Sequence, residues 1–573
     1  MPRSAPGTRG RTRSRRRAQQ GQNTRNHVVQ PMVRIAVIGG GIAGLSCASR
    51  LQELLGATSR VTVYDTGKRG PGGRASSRLW QDDASRPVDH AVQFAEAHTT
   101  AFSHFMEGLA QAGTVRRLSS EDVTILSAPN QCNPVGDGVA RFVGVGGMGA
   151  IADALASGLD DVRQDVWVSP NGGIRKGTRD GPWLVRESKT VEASYDAIVI
   201  AHNGKCAERL TSRQPARAVH ALLRARFAAR LGNGGSGGAS GRMTLNSIYS
   251  LLFEVPKGVM PDTLSTCSFV RCEPQLMFLS NNAAKHASVD TSHGTEVWTA
   301  LSSAAFGAEY KAPQEHIEGT DVEVEVTANL LQAVSRAAGL PEDALRASVV
   351  ASKLQLWGAA VPINTWTGGS FAWDASEDIG VAGDWFATEG AAPSTIESAW
   401  LSGRLLAEHV ATSPEGEGTS VGIELGEAGG RFVPSNAGGF GDERHSSKTP
   451  TEAGKWVAPM DATGAGKSSK SGPSRAKGSR PAPSSATDCL FVRNLPYTAS
   501  EEDIRRHFES IGASVRRVSI LQDATGRPRG LARVEMRSVD EAKQAVEKMD
   551  GVSLGGRSLR VAFNVRQASP SRG

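Results

Sequence analysis

Residues 33–65 read VRIAVIGGGIAGLSCASRLQELLGATSRVTVYD. Val33–Ile38 is a short apolar run closed by glycine, the pattern of a strand buried on both faces. Gly39-Gly40-Gly41-Ile42-Ala43-Gly44 follows, and the spacing predicts a helix to about Leu55. A second strand is predicted over Arg60–Asp65. In this strand–turn–helix–strand setting each glycine has a task. Gly39 permits the tight turn, Gly41 lets backbone approach a pyrophosphate, and Gly44 lets helix and strand pack closely. The unpaired N–H groups at the helix start, from Ile42 and Ala43 on, suit the anion. Asp65, at the end of the second strand, is placed to accept hydrogen bonds from adenosine ribose hydroxyls.

Two further segments argue for FAD over NAD. Gly70-Pro71-Gly72-Gly73-Arg74 follows the second strand directly. Much later, Gly380-Val381-Ala382-Gly383-Asp384-Trp385 precedes a helix predicted from about Ser394 to Val410. A chain that leaves for a substrate domain and returns can offer Asp384 to the ribityl hydroxyls and aim the next helix at the flavin. A plain NAD fold has no need of the second visit.

On GGGIAG at 39–44, GGRASSR at 72–78, VDHAVQF at 88–94, RFVGVGGMGAIADALA at 141–156, YDAIVIA at 195–201, LWGAAVP at 356–362 and GVAGDWF with STIESAWLSGRLLAE at 380–408, residues 33–410 resemble the renalase-like NAD(P)/FAD-dependent oxidoreductases, relatives of the amine oxidases. The resemblance implies non-covalent FAD, held at Gly39, Gly41, Ile42, Ala43, Gly44, Asp65, Gly73, Arg74, Val166, Gly383, Asp384 and Ile396. It implies hydride removal from a small organic substrate, a dihydropyridine nucleotide or an amine, with dioxygen as reoxidant. The chain departs from the family at Asp65 (usually Glu), Ala91 (usually Gly), Phe94 (usually Tyr) and His202-Asn203 (usually small and apolar).

Gln93, Phe94, Trp357 and Trp385 are candidates to line the pocket, with plain core as the other reading of the two tryptophans. His90 and His202 either polarise a substrate or are satisfied structural histidines. Hydride transfer needs close approach of donor and acceptor rather than a protein base, so no catalytic residue is assigned. No His/Cys cluster has metal-ligand spacing, and the six scattered cysteines form no CxxC pair.

At 573 residues the chain exceeds one domain, and its net charge of +7 permits contact with nucleic acid. Nine arginines and no acid fall in residues 1–34. Residues 1–32 therefore read as a disordered basic arm or an organellar transit peptide, chloroplast or mitochondrial, and not as a secretory signal; without such an address the chain belongs in cytoplasm or nucleus. Met32 is a possible second start. No apolar run is long enough for a transmembrane helix. Within 33–410, cofactor-binding parts are expected at 33–95, 140–210 and 350–410, and a substrate domain at 96–139 and 211–349. Strands are expected at Ile248–Val255 and Val297–Leu301, a flexible insertion at Gly232–Gly241, and a helix from Pro341 to Ala347. Residues 411–487, rich in Gly, Ser, Pro, Lys and Glu, read as a disordered linker.

Residues 488–566 carry a βαββαβ pattern. Strands are predicted at Leu490–Leu495, Val515–Leu521, Gly530–Met536 and Ser558–Phe563, with helices from Ser500 to about Ser510 and from Ser538 to Met549. Ser500 with Asp503 is an acidic capping-box pair. With LFVRNL, the TGRPRG loop and GVSLGGRSLRV, this stretch resembles the RNA recognition motif; residues 567–573 read as a disordered tail. The resemblance implies single-stranded RNA as partner. The usual central strand places aromatic rings for base stacking; here Leu531 and Arg533 take those places, leaving Phe491. Arg493, Arg527, Arg529, Arg533 and Arg560 are the candidate RNA contacts, by guanidinium stacking or phosphate pairing. The stretch holds 14 basic and 11 acidic residues, a net of only +3, so a protein-contact role stands as the other reading.

The whole therefore reads as an α/β FAD-binding Rossmann-type domain with an α+β substrate domain, joined to a separate α+β ferredoxin-like RNA-binding domain. The competing function is an RNA-binding protein whose flavin domain is a non-catalytic scaffold.

Overall fold

The computed structural model describes residues 32–435 and 488–563, apart from 180, 189, 232–240, 287–293, 313–316, 342, 413–418, 427–428, 494, 497, 523–527, 550–551 and 556. The expected basic arm, most of the glycine-rich insertion, residues 436–487 and the tail lie outside the described residues. The chain falls into two compact units, divided between 459 and 460.

The larger unit is built on a six-stranded sheet. At its centre is β1 (Val33–Ile38), flanked in parallel by β2 (Ser59–Tyr64) and by Ala197–Ile200. Val162–Arg163 extends the sheet beyond β2, and Ile379–Val381 extends it on the other side, both parallel. Antiparallel Ala372–Asp374 closes that edge. Ile35 to Ile38 are buried, as the continuous apolar run requires of a strand covered on both faces. Asp65 lies one residue past β2, not within it. The connecting helix α1 (Ile42–Leu55) matches the predicted bounds.

The helix Ile396–Thr412 packs along α1. A Cβ at Gly403 would overlap the Ala43 carbonyl and the Ser46 Oγ, so only glycine permits this approach. Ser46 Oγ donates to the Trp400 carbonyl at 2.9 Å. The returning helix is thus fastened to the first one, and both present their N-termini to the same end of the sheet.

A seven-stranded sheet forms the second layer, in the order Ala351–Trp357, Ile248–Pro256, Thr295–Ser302, Leu276–Asn281, Cys267–Val270, Val123–Ala128, Gln131–Pro134. The helix Asp321–Ala338 covers it with Val326, Leu330, Leu331 and Val334. Two expected boundaries are corrected here. Ala351–Trp357, assigned from sequence to the cofactor part, is an edge strand of this sheet, because Leu354 and Leu356 alternate inward as it pairs with Ile248–Pro256. The linker expected from 411 also begins too early. Helix continues to Thr412, and Phe432–Pro434 pairs antiparallel with Asn364–Trp366. The reason is one aromatic: Phe432 is fully buried. The helix predicted from Pro341 occupies only Ala344–Ser348.

A buried ion pair ties the ribbon strand Pro87–Asp89 to the short helix Asn282–Lys285, which follows strand Leu276–Asn281 of the seven-stranded sheet. Lys285 Nζ lies 2.9 Å and His286 Nε2 3.0 Å from Asp89 Oδ2, with all three side chains inaccessible to solvent. Burial opposes the Asp89 charge, but Lys285 and then His286 outweigh it and hold the carboxyl far below its ordinary range.

The smaller unit is a four-stranded antiparallel sheet in the order Val515–Gln522, Pro528–Met536, Cys489–Arg493, Arg560–Phe563. Helices Glu501–Glu509 and Val539–Met549 cover one face through Ile504, Phe508, Ala542, Ala545 and Met549. The expected capping box forms: Asp503 N donates to Ser500 Oγ at 3.1 Å, and Ser500 N to Asp503 Oδ2 at 3.0 Å.

Replacing Gly403 by alanine forces the two helices apart. The expected loss is about 1–3 kcal/mol, read as a lower thermal unfolding midpoint. An unchanged midpoint would contradict the close approach.

Candidate dinucleotide cleft and nucleic-acid face

The carboxyl ends of β1, β2, Ala197–Ile200 and Ile379–Val381 open into a cleft of about 470 Å³. Its floor is the glycine turn. Gly39 has φ +120°, and a Cβ there would lie 2.9 Å from the Ala201 carbonyl. A Cβ at Gly40 would meet Asp65 at 2.6 Å, and one at Gly44 would overlap the Gly39 carbonyl. Gly41 differs. Its φ of −79° suits any residue, and the nearest atom to a Cβ there is the Gly72 carbonyl at 4.0 Å. Protein packing therefore leaves that place open, and a dinucleotide pyrophosphate fits it. Gly41 also caps α1 without a side chain, and the first turn holds no acid. The N–H groups there suit an anion.

The Gly72–Ala75 segment docks directly on this turn, with Gly72 N donating to the Gly40 carbonyl at 2.6 Å. That places Arg74 against the returning strand. Its guanidinium meets the Asp384 carboxylate twice, Nη1 to Oδ2 at 2.8 Å and Nη2 to Oδ1 at 2.9 Å. Nη1 also donates to the Ala360 carbonyl at 2.8 Å. Burial works against the Arg74 charge, but the Asp384 carboxylate outweighs it and holds the arginine above its ordinary range.

Each of the twelve residues expected at the cofactor is accounted for. Gly39, Gly41, Ile42, Ala43, Asp65, Gly73, Arg74, Val166, Gly383, Asp384 and Ile396 line the cleft; Gly44 lies behind it, packed on the Gly39 carbonyl. Burial pushes the Asp65 carboxyl up, while backbone N–H groups of Gly67, Thr66 and Gly40 draw it partly down. Val166 N donates to the Asp65 carbonyl at 3.0 Å, tying the adjoining loop to the acid. His202 also lines the cleft. Burial lowers its pKa, and Nδ1 lies 3.1 Å from the Ile38 carbonyl. A neutral ring there must carry its proton on Nδ1, which leaves Nε2 as an acceptor.

Of the pocket candidates, Phe94, Trp357 and Trp385 line the cleft and Gln93 and His90 do not. Gln93 is turned away, accepting from Lys285 Nζ at 2.6 Å and Ser280 Oγ at 2.7 Å. His90 stacks on Trp357, ring centroids 5.3 Å apart. Burial, then Arg78, pushes its pKa down to about 3, so it is neutral at physiological pH. The Trp385 Nε1 is buried and has no hydrogen-bond partner among the described residues. Glu96, largely buried at the cleft wall and 2.8 Å from Arg141, carried no signal in the sequence. Among the described residues no group of His, Cys, Asp or Glu is arranged to hold a metal, and no helix is long and apolar enough to cross a membrane.

In the smaller unit the sheet face away from the helices carries Phe491, Arg493, Arg533 and Arg560. Phe491 stands opposite Arg533, and Arg493 opposite Arg560. The Arg493 guanidinium sits 5.3 Å from the Phe491 ring centroid, within cation–π range. Arg493, Arg533 and Arg560 are exposed. Arg527 lies outside the described residues, and so does the side chain of Arg529.

Residues 37–109 match the family model of an NAD(P)-binding Rossmann-like domain, and residues 490–560 match that of the RNA recognition motif. The chain joins a Rossmann-like dinucleotide-binding domain to an RNA recognition motif. The motif is 41% identical over 75 residues to the 33 kDa ribonucleoprotein, chloroplastic, of Nicotiana sylvestris, covering 13% of this chain and 23% of that protein. It is 36% identical over 102 residues to the human Transformer-2 protein homolog alpha, covering 17% and 36%. The chain thus spans well under half the length of these curated relatives. The chain overlaps the crystal structure of reduced UDP-galactopyranose mutase over 66% of this chain and 94% of that one, at 11% identity and a TM-score of 0.45.

Gly41→Val separates binding from folding. With an ordinary φ and open space at its Cβ, the variant should keep the wild-type unfolding midpoint yet fail to retain a dinucleotide. A variant that still binds would show that the cradle is not used.

Proposed function

We propose that residues 33–435 form an FAD-dependent oxidoreductase of the renalase-like, amine-oxidase-related type, tethered to a motif that binds single-stranded RNA. The observation that carries the first half is the Arg74–Asp384 pair, which brings the returning strand onto the cradle around Gly41. FAD is favoured over NAD because the fold spends a strand and a helix N-terminus on that return. When bound, FAD supplies hydride acceptance from a substrate carbon, with dioxygen as reoxidant. The chain supplies position. The turn and α1 hold the pyrophosphate, Asp65 the adenosine ribose, Arg74 and Asp384 the middle of the cofactor. Phe94, Trp357, Ile248 and Leu301 wall the far end with apolar surface that excludes water. A dihydropyridine nucleotide or an amine is the substrate class.

The RNA half rests on the exposed face around Phe491. One aromatic ring and three arginines offer stacking and phosphate pairing in place of the usual pair of rings.

Two experiments test these assignments. The purified full chain should be yellow and should bleach without oxygen when given a dihydropyridine nucleotide or an amine. A chain that takes up no FAD overturns the oxidoreductase reading, and a yellow chain that no donor bleaches leaves the scaffold role in its place. For the motif, Phe491→Ala should weaken single-stranded RNA binding by about 1–3 kcal/mol, some tenfold or more. Arg533→Ala should make the affinity less dependent on salt. RNA binding that ignores both changes would overturn this face as the contact, and salt-independent or absent binding would favour a protein partner.

A further inference from the structure

Every other described tryptophan but Trp357 is buried, whereas Trp167 is 64% exposed. Among the described residues no ring or cationic group stacks on it. Yet the backbone that carries it is fixed on both sides. Before it, Asp165 N donates to the Gly67 carbonyl at 3.1 Å and Val166 N to the Asp65 carbonyl at 3.0 Å. After it, Val168 is buried in the core that holds Tyr64 and Ile174, and Gly173 N closes the next turn on the Ser169 carbonyl at 2.8 Å. The path includes a left-handed φ of +55° at Asp165. The indole is therefore held at a set place with its faces uncovered.

Its position says what covers it. Trp167 lines the dinucleotide cleft together with Asp65, Thr66 and Val166. Asp65 follows β2 directly, where it is placed to take an adenosine ribose, and the loop that carries Trp167 is bonded to the Asp65 carbonyl. A base is joined directly to its ribose, so the base of a nucleoside held at Asp65 falls beside this loop. Indole and purine are both flat and polarisable, and stacking buries a face of each. A protein partner would need a contiguous apolar patch, and the neighbouring Gln164 and Asp165 are exposed and polar.

We propose that Trp167 is a stacking platform for the base of the bound dinucleotide, the residue that makes the cleft prefer a flavin carrying adenine to one without it. The loop is in place before the ligand arrives, so little ordering is lost on binding. The contact draws on the base alone. An adenine nucleotide without flavin shares it. The inference rests on the FAD reading above for the identity of the dinucleotide, and on Trp167 for the grip on its base.

The test uses the full-length chain, stripped of flavin and titrated with FAD and, separately, with ADP. Trp167→Ala removes the ring, Trp167→Leu keeps apolar bulk without a ring, and Trp167→Phe keeps a smaller ring. Because the side chain is exposed, all three should unfold at the wild-type midpoint when no ligand is present. Trp167→Ala and Trp167→Leu should each raise the FAD dissociation constant about tenfold or more, the loss of one base stack, and Trp167→Phe should recover most of that loss. ADP should quench the tryptophan emission of the wild-type chain and leave that of Trp167→Phe unchanged; ADP serves here because a flavin would quench nearby tryptophans by energy transfer. FAD affinity unchanged in Trp167→Ala, or lost equally in Trp167→Leu and Trp167→Phe, would overturn the stack while leaving the FAD reading intact. A wild-type chain that takes up no FAD yet shows the ADP quench overturns the FAD reading and keeps the stack. One that answers to neither ligand overturns both.

Discussion

The fold of the larger unit turns on the contact between Arg74 and Asp384, residues 310 positions apart. One stands in the second glycine segment, which docks on the first turn, and the other lies three residues past the strand Ile379–Val381. Removing an arginine and a carboxylate from water is expensive, and such a pair holds only where geometry and further hydrogen bonds compensate. Here the guanidinium meets both carboxylate oxygens and the Ala360 carbonyl. The surrounding architecture keeps these groups in register. Gly72 docks on Gly40, Gly403 lets two helices touch, and the Asp89–Lys285–His286 cluster fixes the adjoining segment to the short helix that follows Leu276–Asn281 of the seven-stranded sheet.

How much of this was visible in the residues alone depends on how local the cause was. The turn 39–44 was legible because each glycine answers a constraint within a few residues of itself, and the structure returns the bounds of β1 and α1 unchanged. Asp384 was legible because a family motif surrounds it. Lys285 and His286 were not, since a lysine in an unremarkable NNAAK run gives no sign that it will meet Asp89 some two hundred positions earlier. Gln93 and Phe94 show the limit differently. Neighbours on an extended chain face opposite ways, so one lines the cleft and the other serves the buried cluster. The docking of Phe432 was hidden by composition: a single phenylalanine among glycines and acids carries little weight in a window average, yet it packs against both Trp366 and Trp385.

The smaller unit was legible almost throughout, because helix caps, alternation and short connections are all local. What the sequence left open was the chemistry of its free face. Arg493 and Arg533 flank Phe491 on the same side of the sheet, so the ring already has a cationic neighbour before any base arrives. The RNA binding proposed for such a surface leans more on charge than on ring stacking, with the salt sensitivity that charge brings.

The pairing of Phe432–Pro434 with Asn364–Trp366 also changes how the gene can be dissected. A fragment ended at the last helix would uncover the flanks of Trp366 and Trp385 and leave a greasy notch beside the cleft, an invitation to self-association. Failure of such a fragment to express would then report the place of the cut and not a defect of the unit itself. A boundary drawn after Ser435 keeps that seam closed.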